Sequence, residues 1–308
     1  MKTSKKENQL FFRYFEEWIE LYKVGAVRDV TLNKYYVTQQ KLELLAPNLR
    51  MYDLDRQSYQ QILNDYAFTH EKQTTMDFHH QLKVAIMDAV DEGIIDKNPT
   101  RKVIIKGRKP KPKKPKFLNQ FELQSLLRSL DLKEEINWDW FILLVSKTGL
   151  RFSEALALTP NDFDFSKQTI SVNKTWDYKS SKGGMQETKN KSSNRKVILD
   201  WQIAMQFSQM IRGLEEDKPI FVHGRIYNSM VNNRLRELCI KADIPIISIH
   251  GLRHTHASML LFAGVSIASV ARRLGHSSMI TTQETYLHII KELDNQDNDK
   301  IIRHLATL

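Results

Sequence analysis

Apolar residues recur at helical spacing in four segments of the first hundred residues, at 10–22, 32–45, 55–68 and 74–92. Thr31 is a possible N-cap for the second segment, and Gly93 is placed to end the fourth. Four short amphipathic helices of this kind predict a compact bundle. We expect its core to include the stripe of the first segment: Leu10, Phe11, Tyr14, Phe15, Trp18, Leu21 and Tyr22. His79 and His80 are expected to form a surface pair, since nothing nearby completes a metal site.

The remainder of the chain mixes helical and strand patterns. Helices are predicted at 119–130, with Asn119 as cap, and at 138–147, 201–211, 229–241, 250–263 and 266–274. The segments 162–173 and 188–199 alternate apolar and polar residues about a polar centre, which predicts two β-hairpins. The fold class is therefore mainly α with small β-hairpins, an α+β arrangement.

One segment carries most of the net charge. The chain has 308 residues and a net charge of +10, and residues 106–116 hold seven basic residues and three prolines. Prolines exclude a helix or a central strand, so we predict a linker between domains 1–105 and 117–308. The segment is either a solvated, self-repelling linker or a strap along a phosphate backbone. The candidate DNA-binding residues are Lys106, Arg108, Lys109, Lys111, Lys113, Lys114 and Lys116.

Several protein classes are excluded by composition. A single cysteine, Cys239, leaves no intrachain disulfide framework and no cysteine-rich zinc module. The first residues lack the apolar region of a signal peptide, and no apolar run approaches the length of a membrane span. The single cysteine fits a reducing cytosol, and the net positive charge makes a polyanion the first partner to consider.

Two segments combine residues that bind anions. In Thr-Gly-Leu-Arg-Phe-Ser-Glu, a glycine turn brings Arg151 to the start of a helix, where backbone donors and a guanidinium hold a phosphate, and Glu154 is spaced to orient that arginine. In His-Gly-Leu-Arg-His, His250 and Arg253 share a helix face and can bind the same phosphate oxygens. His250 and His254 also have the spacing of a metal pair, but the glutamate of a His-Glu-x-x-His motif is absent, so zinc is the weaker interpretation.

Two further segments lie downstream. Leu-Gly-His ends a helix with an exposed imidazole at His276, and Tyr286 follows ten residues later. A histidine there is usually a surface or capping residue, and a tyrosine beside leucine is usually packing.

In this order and at these separations, the four segments resemble the catalytic signature of the tyrosine recombinase (phage integrase) family. The resemblance covers residues from about 118 to 290 and is strongest to integrases of Gram-positive temperate phages and conjugative transposons. It implies a nucleophile at Tyr286, with Arg151, His250, Arg253 and His276 holding the scissile phosphate and Glu154 as an accessory acid. The family's general-acid lysine lies in a strand-hairpin turn, where Lys189 matches best and Lys191 competes.

The resemblance also implies an architecture and partners. A helical core-type (SAM-like) DNA-binding domain and the catalytic domain would form a C-shaped clamp, and four protomers would join two double-stranded attachment sites through a Holliday junction, without metal, ATP or cofactor. Accessory DNA-bending or directionality factors are possible partners. The tail from Lys291 would dock on its own or a neighbouring protomer. Many relatives carry an additional small arm-binding domain before the helical domain, so we expect either a short-form enzyme or a truncated chain. The resemblance also implies a bacterial cytoplasmic protein that is nucleoid-associated when bound to DNA. The alternatives are a dimer-resolving or topoisomerase-like enzyme and a non-catalytic DNA-binding relative.

Overall fold

The computed structural model describes residues 7–110, 116–180, 182–188 and 190–286, with only the backbone of Lys191. The chain divides into two compact units, Met1–Lys113 and Lys114–Leu308. The division falls inside the segment that was predicted to be a linker. The predicted fold class is confirmed, because both units are mainly helical and the strands are short.

The N-terminal unit is a four-helix bundle. Its helices are α1 (Phe11–Tyr22), α2 (Asp29–Leu45), α3 (Arg56–Thr69) and α4 (Lys72–Asp91), and a 3₁₀ turn spans Met51–Asp53. Asp55 caps α3 by accepting a hydrogen bond from the backbone N–H of Ser58. The core buries aromatic and aliphatic side chains from these helices, with Phe11, Phe15 and Tyr59 fully enclosed. The sequence pattern predicted these four helices correctly.

Three details of this unit differ from the predictions. Helix α2 begins two residues before Thr31, at Asp29, with Arg28 as its N-cap. Leu21 and Tyr22, both predicted to be in the core, are 73% and 43% exposed, because they lie outside the face of the helix that carries the buried residues. His79 is buried and not on the surface, and its Nδ1 hydrogen-bonds the hydroxyl of Tyr59 at 2.9 Å.

The first residues of the basic segment lie on the N-terminal unit. The side-chain amide of Gln60 binds both the N–H and the carbonyl of Ile104. Arg108 donates from its backbone to the carbonyl of His70 and from its guanidinium to that of Phe68. Gly107 passes so close to the Lys72 backbone that a Cβ there would collide with it. These contacts fix Lys106 and Arg108 on this unit while both side chains remain exposed.

The C-terminal unit contains the remaining helices. They are α5 (Gln120–Ser129), α6 (Trp138–Thr148), α7 (Phe152–Leu156), α8 (Trp201–Met210), α9 (Asn228–Lys241), α10 (Ile249–Phe262), α11 (Ile267–Leu274) and α12 (Met279–Thr285). Asn119 caps α5 through a capping box with Glu122, as predicted. Helix α6 is buried on nearly all sides and ends at Gly149 in the left-handed conformation. Helices α9 and α10 pack against α6 and build the core around it.

Two small antiparallel sheets complete this unit. One has the strand order β1 (Phe163–Asp164), β2 (Thr169–Val172), β5 (Arg195–Ile198), and the other pairs β3 (Lys174–Trp176) with β4 (Met185–Glu187). The predicted hairpin at 162–173 is confirmed by the pairing of β1 with β2. The predicted hairpin at 188–199 is wrong, since β5 pairs with β2 and the strand before residue 188 pairs with β3. Alternation predicts strands but does not specify their partners.

Within the described residues, no helix is both long and apolar enough to cross a membrane.

Candidate active site

Arg151 stands where helix α6 turns into helix α7. Gly149 takes a φ of 68°, and a Cβ at this position would come within 2.7 Å of the His256 ring. Both the backbone conformation and the lack of space therefore require glycine in this turn. The turn places Arg151 as the N-cap of α7, and its Nη1 donates to Glu154 Oε1 at 2.7 Å. The predicted contact between Arg151 and Glu154 is therefore present.

The expectation that backbone donors at this helix start would also bind an anion is not met at Arg151. Its backbone N–H donates to Glu154 Oε2 at 2.9 Å, and the helix is only five residues long. Glu154 is 1% exposed. Burial alone would raise the pKa of this carboxyl, but the hydrogen bonds and charges of Arg195 and Arg151 hold it below its usual value. The carboxylate therefore remains ionised between two arginines.

Helix α10 supplies the second arginine of the site. Arg253 is 3% exposed and donates from Nη1 to the carbonyl of Gly149 at 2.8 Å and from Nη2 to that of Leu274 at 2.7 Å. Burial, followed by the nearby charge of Arg151, lowers its pKa to about 9, which still leaves it charged at neutral pH. The helix itself is fixed at its start, where Ser248 caps it and Asn232 accepts from the N–H of Ile249.

Three guanidinium groups meet at the end of helix α11. The carbonyl of Arg273 accepts from Arg195 Nε at 2.6 Å, that of Leu274 from Arg253, and that of Gly275 from Arg151 Nη2 at 3.0 Å. Carbonyls at a helix C-terminus lack intrahelical partners and carry a partial negative charge, so they attract cations. Gly275 ends the helix at a φ of 68°. The Leu-Gly-His segment thus brings Arg151 and Arg253 together and presents His276 beside them.

His276 and Tyr286 are less exposed than the sequence suggested. His276 is half-buried, and its Nδ1 hydrogen-bonds Thr282 Oγ1 at 2.6 Å. Burial and the charges of Arg253 and Arg151 lower its pKa to about 4, so the ring is neutral at pH 7. Tyr286 is 2% exposed and packs against an apolar cluster that includes Leu261.

The hydroxyl of Tyr286 lies 2.9 Å from Nδ1 of His254, a residue to which the sequence analysis gave only a possible metal role. Burial raises the pKa of Tyr286 to about 12, and the opposing charge of Arg253 does not offset it. The charge of Arg253 favours the phenolate, as expected of a neighbouring arginine, but the effect of burial is larger. The rings of His250 and His254 meet edge to face at 4.7 Å. Burial also lowers the pKa of His250.

Basic side chains extend the site along one cleft of the C-terminal unit. Lys116 and Arg236 line it together with His250 and His254. The chain enters this unit beside α10, where the N–H of Leu118 donates to Thr255 Oγ1. Lys116 is therefore placed next to the candidate active site. No group of three or more metal-ligating side chains occurs among the described residues, His250 and His254 included.

Some predicted site residues lie outside the part of the chain that the structure describes. Lys189 is one of them, and so are Lys111, Lys113, Lys114 and the tail from Lys291; the side chain of Lys191 is likewise not described. Lys106, Arg108 and Lys109 belong to the other unit and are exposed. Arg195 was not predicted to be a site residue. It donates from Nη1 and Nη2 to both oxygens of Glu154. The only sequence signal for it was its position at the end of the lysine-containing segment.

Comparison with known proteins shows the family of the chain. Residues 116–292 match the model of the phage integrase family. The chain belongs to the phage integrase family. Its members are the tyrosine recombinases, so this protein is a tyrosine site-specific recombinase.

Individual relatives support the same assignment. The chain is 23% identical to the integrase of Staphylococcus phage L54a, over 97% of this chain and 94% of that protein. It is 31% identical to the tyrosine recombinase XerC of Bacillus subtilis, over 66% of each chain. The solved structure of the Tn1549 transposon integrase with transposon right end DNA has a TM-score of 0.76 at 19% identity, covering 90% of this chain and 95% of that one. This last similarity shows that the fold is shared.

Proposed function

We propose that this recombinase integrates and excises a phage or other mobile element by cutting double-stranded DNA at attachment sites. The observation that carries the proposal is the meeting of Arg151 and Arg253 at the Leu274–Gly275 carbonyls, directly before His276. Two guanidinium groups and a neutral imidazole at one point match the charge and hydrogen-bonding needs of a phosphodiester in its pentacoordinate transition state. The similarity to the L54a integrase along nearly the whole chain supports the biological role.

In the proposed reaction, the Tyr286 oxygen attacks phosphorus and forms a 3′-phosphotyrosine bond. The bond to the 5′ oxygen breaks, and that oxygen takes up a proton from a lysine of the 188–195 segment, Lys189 or Lys191. Arg151 and Arg253 neutralise the phosphoryl oxygens, while His250 and His276 donate hydrogen bonds to them. The ester conserves the energy of the DNA bond, so a second 5′ hydroxyl can rejoin strands without ATP.

The nucleophile must lose its proton during this step, and Nδ1 of His254, which lies 2.9 Å from the Tyr286 hydroxyl, would accept it. Because the pKa of Tyr286 is about 12, this transfer needs further stabilisation of the phenolate. A bound phosphate would draw Arg151 and Arg253 towards the reacting oxygens, and their charges favour the phenolate. Arg151 and Arg253 would therefore serve both the phosphate and the nucleophile.

Complete strand exchange between two duplexes cuts four strands in two successive pairs, and each cut uses one Tyr286. We propose four protomers on two synapsed DNA sites, a Holliday junction as the intermediate, and accessory DNA-bending or directionality proteins as partners. Phosphate contacts by Lys106, Lys109 and Lys116 would add affinity that falls steeply with salt.

Covalent trapping tests the proposal. Nicked duplexes carrying the ends of the source element are incubated with the protein and run on denaturing gels. We expect an adduct with the wild type and with Tyr227→Phe, an exposed control tyrosine, and none with Tyr286→Phe. DNA binding without an adduct would instead support a non-catalytic relative. A dimer-resolving enzyme would form the adduct on chromosomal sites but not on element ends.

A further inference from the structure

Arg195 uses its donors differently from the two arginines assigned to the phosphate. It is the first residue of β5 and its side chain is 7% exposed. Nε donates to the carbonyl of Arg273, Nη1 to Glu154 Oε1 and to the carbonyl of Ser193, and Nη2 to Glu154 Oε2, at 2.6 to 3.1 Å. Four of its five N–H groups are therefore bonded within the protein.

Arg151 and Arg253 retain more free donors. Each guanidinium makes two hydrogen bonds to the described part of the protein, which leaves up to three N–H groups for a ligand. Arg195 is too fully committed to bind a phosphate bidentately without giving up its own contacts. Its chemistry is that of a residue that holds other parts of the site in place.

The part it holds is the segment that carries the two candidate lysines. The carbonyl of Ser193 accepts from Arg195, and the N–H of Ser193 donates to the carbonyl of Asn190. Thr188 Oγ1 donates to that same Asn190 carbonyl at 3.2 Å and lies 2.7 Å from Asn194 Oδ1. The backbone on either side of Lys189 is thereby cross-linked and tied, through Arg195, to Glu154.

The other end of Arg195 reaches the His276 turn. A Cβ at Gly275 would lie 2.8 Å from Arg195 Nη1, so glycine makes room for the guanidinium there. Through Glu154, the same guanidinium is connected to Arg151. A single buried cation thus joins three parts of the site that are far apart in sequence.

We propose that Arg195 is a positioning residue that holds the backbone at Asn190 and Ser193, next to the two candidate general-acid lysines in the sequence, at a fixed place relative to Arg151 and His276. The inference rests on the proposed function, because it assumes strand cleavage by Tyr286. It predicts that loss of Arg195 impairs protonation of the leaving 5′ oxygen more than it impairs binding of the phosphate.

A sulfur-substituted substrate separates these two effects. In a duplex with sulfur in place of the bridging 5′ oxygen, Tyr286 attacks the same phosphorus, but the electron pair leaves on sulfur. A thiol has a pKa of about 8.5, so the thiolate departs without a proton. Variants that are defective only in the general acid should regain cleavage on the sulfur substrate, whereas variants defective in charge stabilisation should not.

We expect Arg195→Gln to lower single-turnover cleavage of the oxygen substrate about 10²-fold, the lower end of general-acid contributions. Most of this loss should disappear on the sulfur substrate, and Arg195→Lys should recover part of it on the oxygen substrate. The substitution that removes the general acid, Lys189→Ala or Lys191→Ala, should likewise slow cleavage of the oxygen substrate and spare cleavage of the sulfur substrate. Arg151→Lys should be impaired on both substrates. Arg234→Gln, which breaks a buried arginine–carboxylate pair elsewhere in this unit, should cleave both like the wild type.

An equal loss on both substrates, or no loss on either, would overturn the assignment of Arg195. If Arg195→Gln does not fold, Thr188→Val loosens the same turn without disturbing a buried charge, and its smaller loss should again vanish on sulfur. Failure of the wild type to form an adduct on either substrate would instead refute the proposed function itself.

Discussion

Glu154 and Asp139 are both almost fully buried carboxylates of the C-terminal unit, and both pair with arginine. Asp139 binds Nε and Nη2 of Arg234 and accepts the backbone N–H of Asp131, so it fixes a loop to the start of helix α6. Glu154 binds two arginines, Arg151 and Arg195, whose other donors reach the end of helix α11. An ion pair of the same type therefore supports a loop in one place and organises the active site in the other.

The comparison shows that a buried pair does not by itself indicate function. Removing one partner of such a pair leaves an unpaired buried charge, and stability falls in either case. Cleavage activity should depend only on the ion pairs of Glu154, because Arg151 also has N–H groups free for a ligand. The predictions below test this difference.

The largest effect is expected from neutralising each carboxylate. Glu154→Gln leaves Arg151 and Arg195 without an anion, so the free energy of unfolding should fall by about 3–5 kcal/mol and cleavage by about 10²- to 10³-fold. Asp139→Asn should lower the free energy of unfolding by less, because Arg234 is 36% exposed and keeps Glu237 as a partner, and it should leave cleavage by the folded protein unchanged. Denaturant unfolding and single-turnover cleavage measure both quantities, and loss of cleavage in Asp139→Asn would remove the distinction between the pairs.

A second contrast concerns acid sensitivity. His256 donates from Nδ1 to the carbonyl of Ser146 and accepts at Nε2 from Arg273, which requires a neutral ring. Burial and the charge of Arg273 lower its pKa to about 3. Since the unfolded histidine titrates near 6.5, the unfolded state binds the proton first, and stability is lost as the pH falls below 6.5 until the folded pKa is reached.

At pH 5 this linkage should cost about 2 kcal/mol for His256. The folded pKa values of His254 and His276 are about 4, and burial is the main cause for both, so by the same linkage each should add a loss of about 2 kcal/mol at pH 5. The N-terminal unit has one comparable residue, His79, with a pKa of about 4. His256→Gln should therefore flatten the decline of unfolding free energy between pH 7 and pH 5. An unchanged slope in that variant would show that His256 is protonated in the folded protein.

Local parts of this site could be predicted from the sequence, because their partners are close along the chain. The pair Arg151–Glu154 follows from the i, i+3 spacing, and the capping box of Asn119 follows from Glu122 three residues later. The end of helix α6 follows from Gly149. These features depend on backbone geometry that a few neighbouring residues determine.

The rest depends on pairings that no local pattern specifies. Arg195 and Glu154 are 41 residues apart, and β5 pairs with β2 across a long insertion instead of with its neighbour. His254 contacts Tyr286 because helix α11 packs against both α10 and α12, which brings the residues at their ends together. In the N-terminal unit, the helical spacing could not show which apolar residues at the end of the first helix would be exposed to solvent, and Leu21 and Tyr22 are.

Alanine substitutions at two glycines test whether the position of Arg195 affects cleavage. Gly275 and Gly264 both have positive φ, so alanine at either should cost about 1–2 kcal/mol of unfolding free energy through backbone strain. A Cβ at Gly264 meets nothing within 4 Å, whereas one at Gly275 displaces Arg195. Gly275→Ala should therefore also lose about tenfold in cleavage, equivalent to roughly 1.4 kcal/mol. Equal cleavage by the two variants would mean that the exact place of Arg195 does not matter.

The smallest expected effect on cleavage is a difference between substitutions at two threonines of helix α12. Thr282 is buried and its hydroxyl contacts Nδ1 of His276, while Thr285 is exposed and its hydroxyl donates to the carbonyl of Thr281 in the same helix. One hydrogen bond contributes about 1 kcal/mol, so Thr282→Val should slow cleavage about fivefold by freeing the His276 ring. Thr285→Val loses a bond of the same kind outside the site and should cleave at the wild-type rate. Single-turnover cleavage of the same nicked duplex compares the two, and equal rates would indicate that His276 is held by the Leu-Gly-His turn alone.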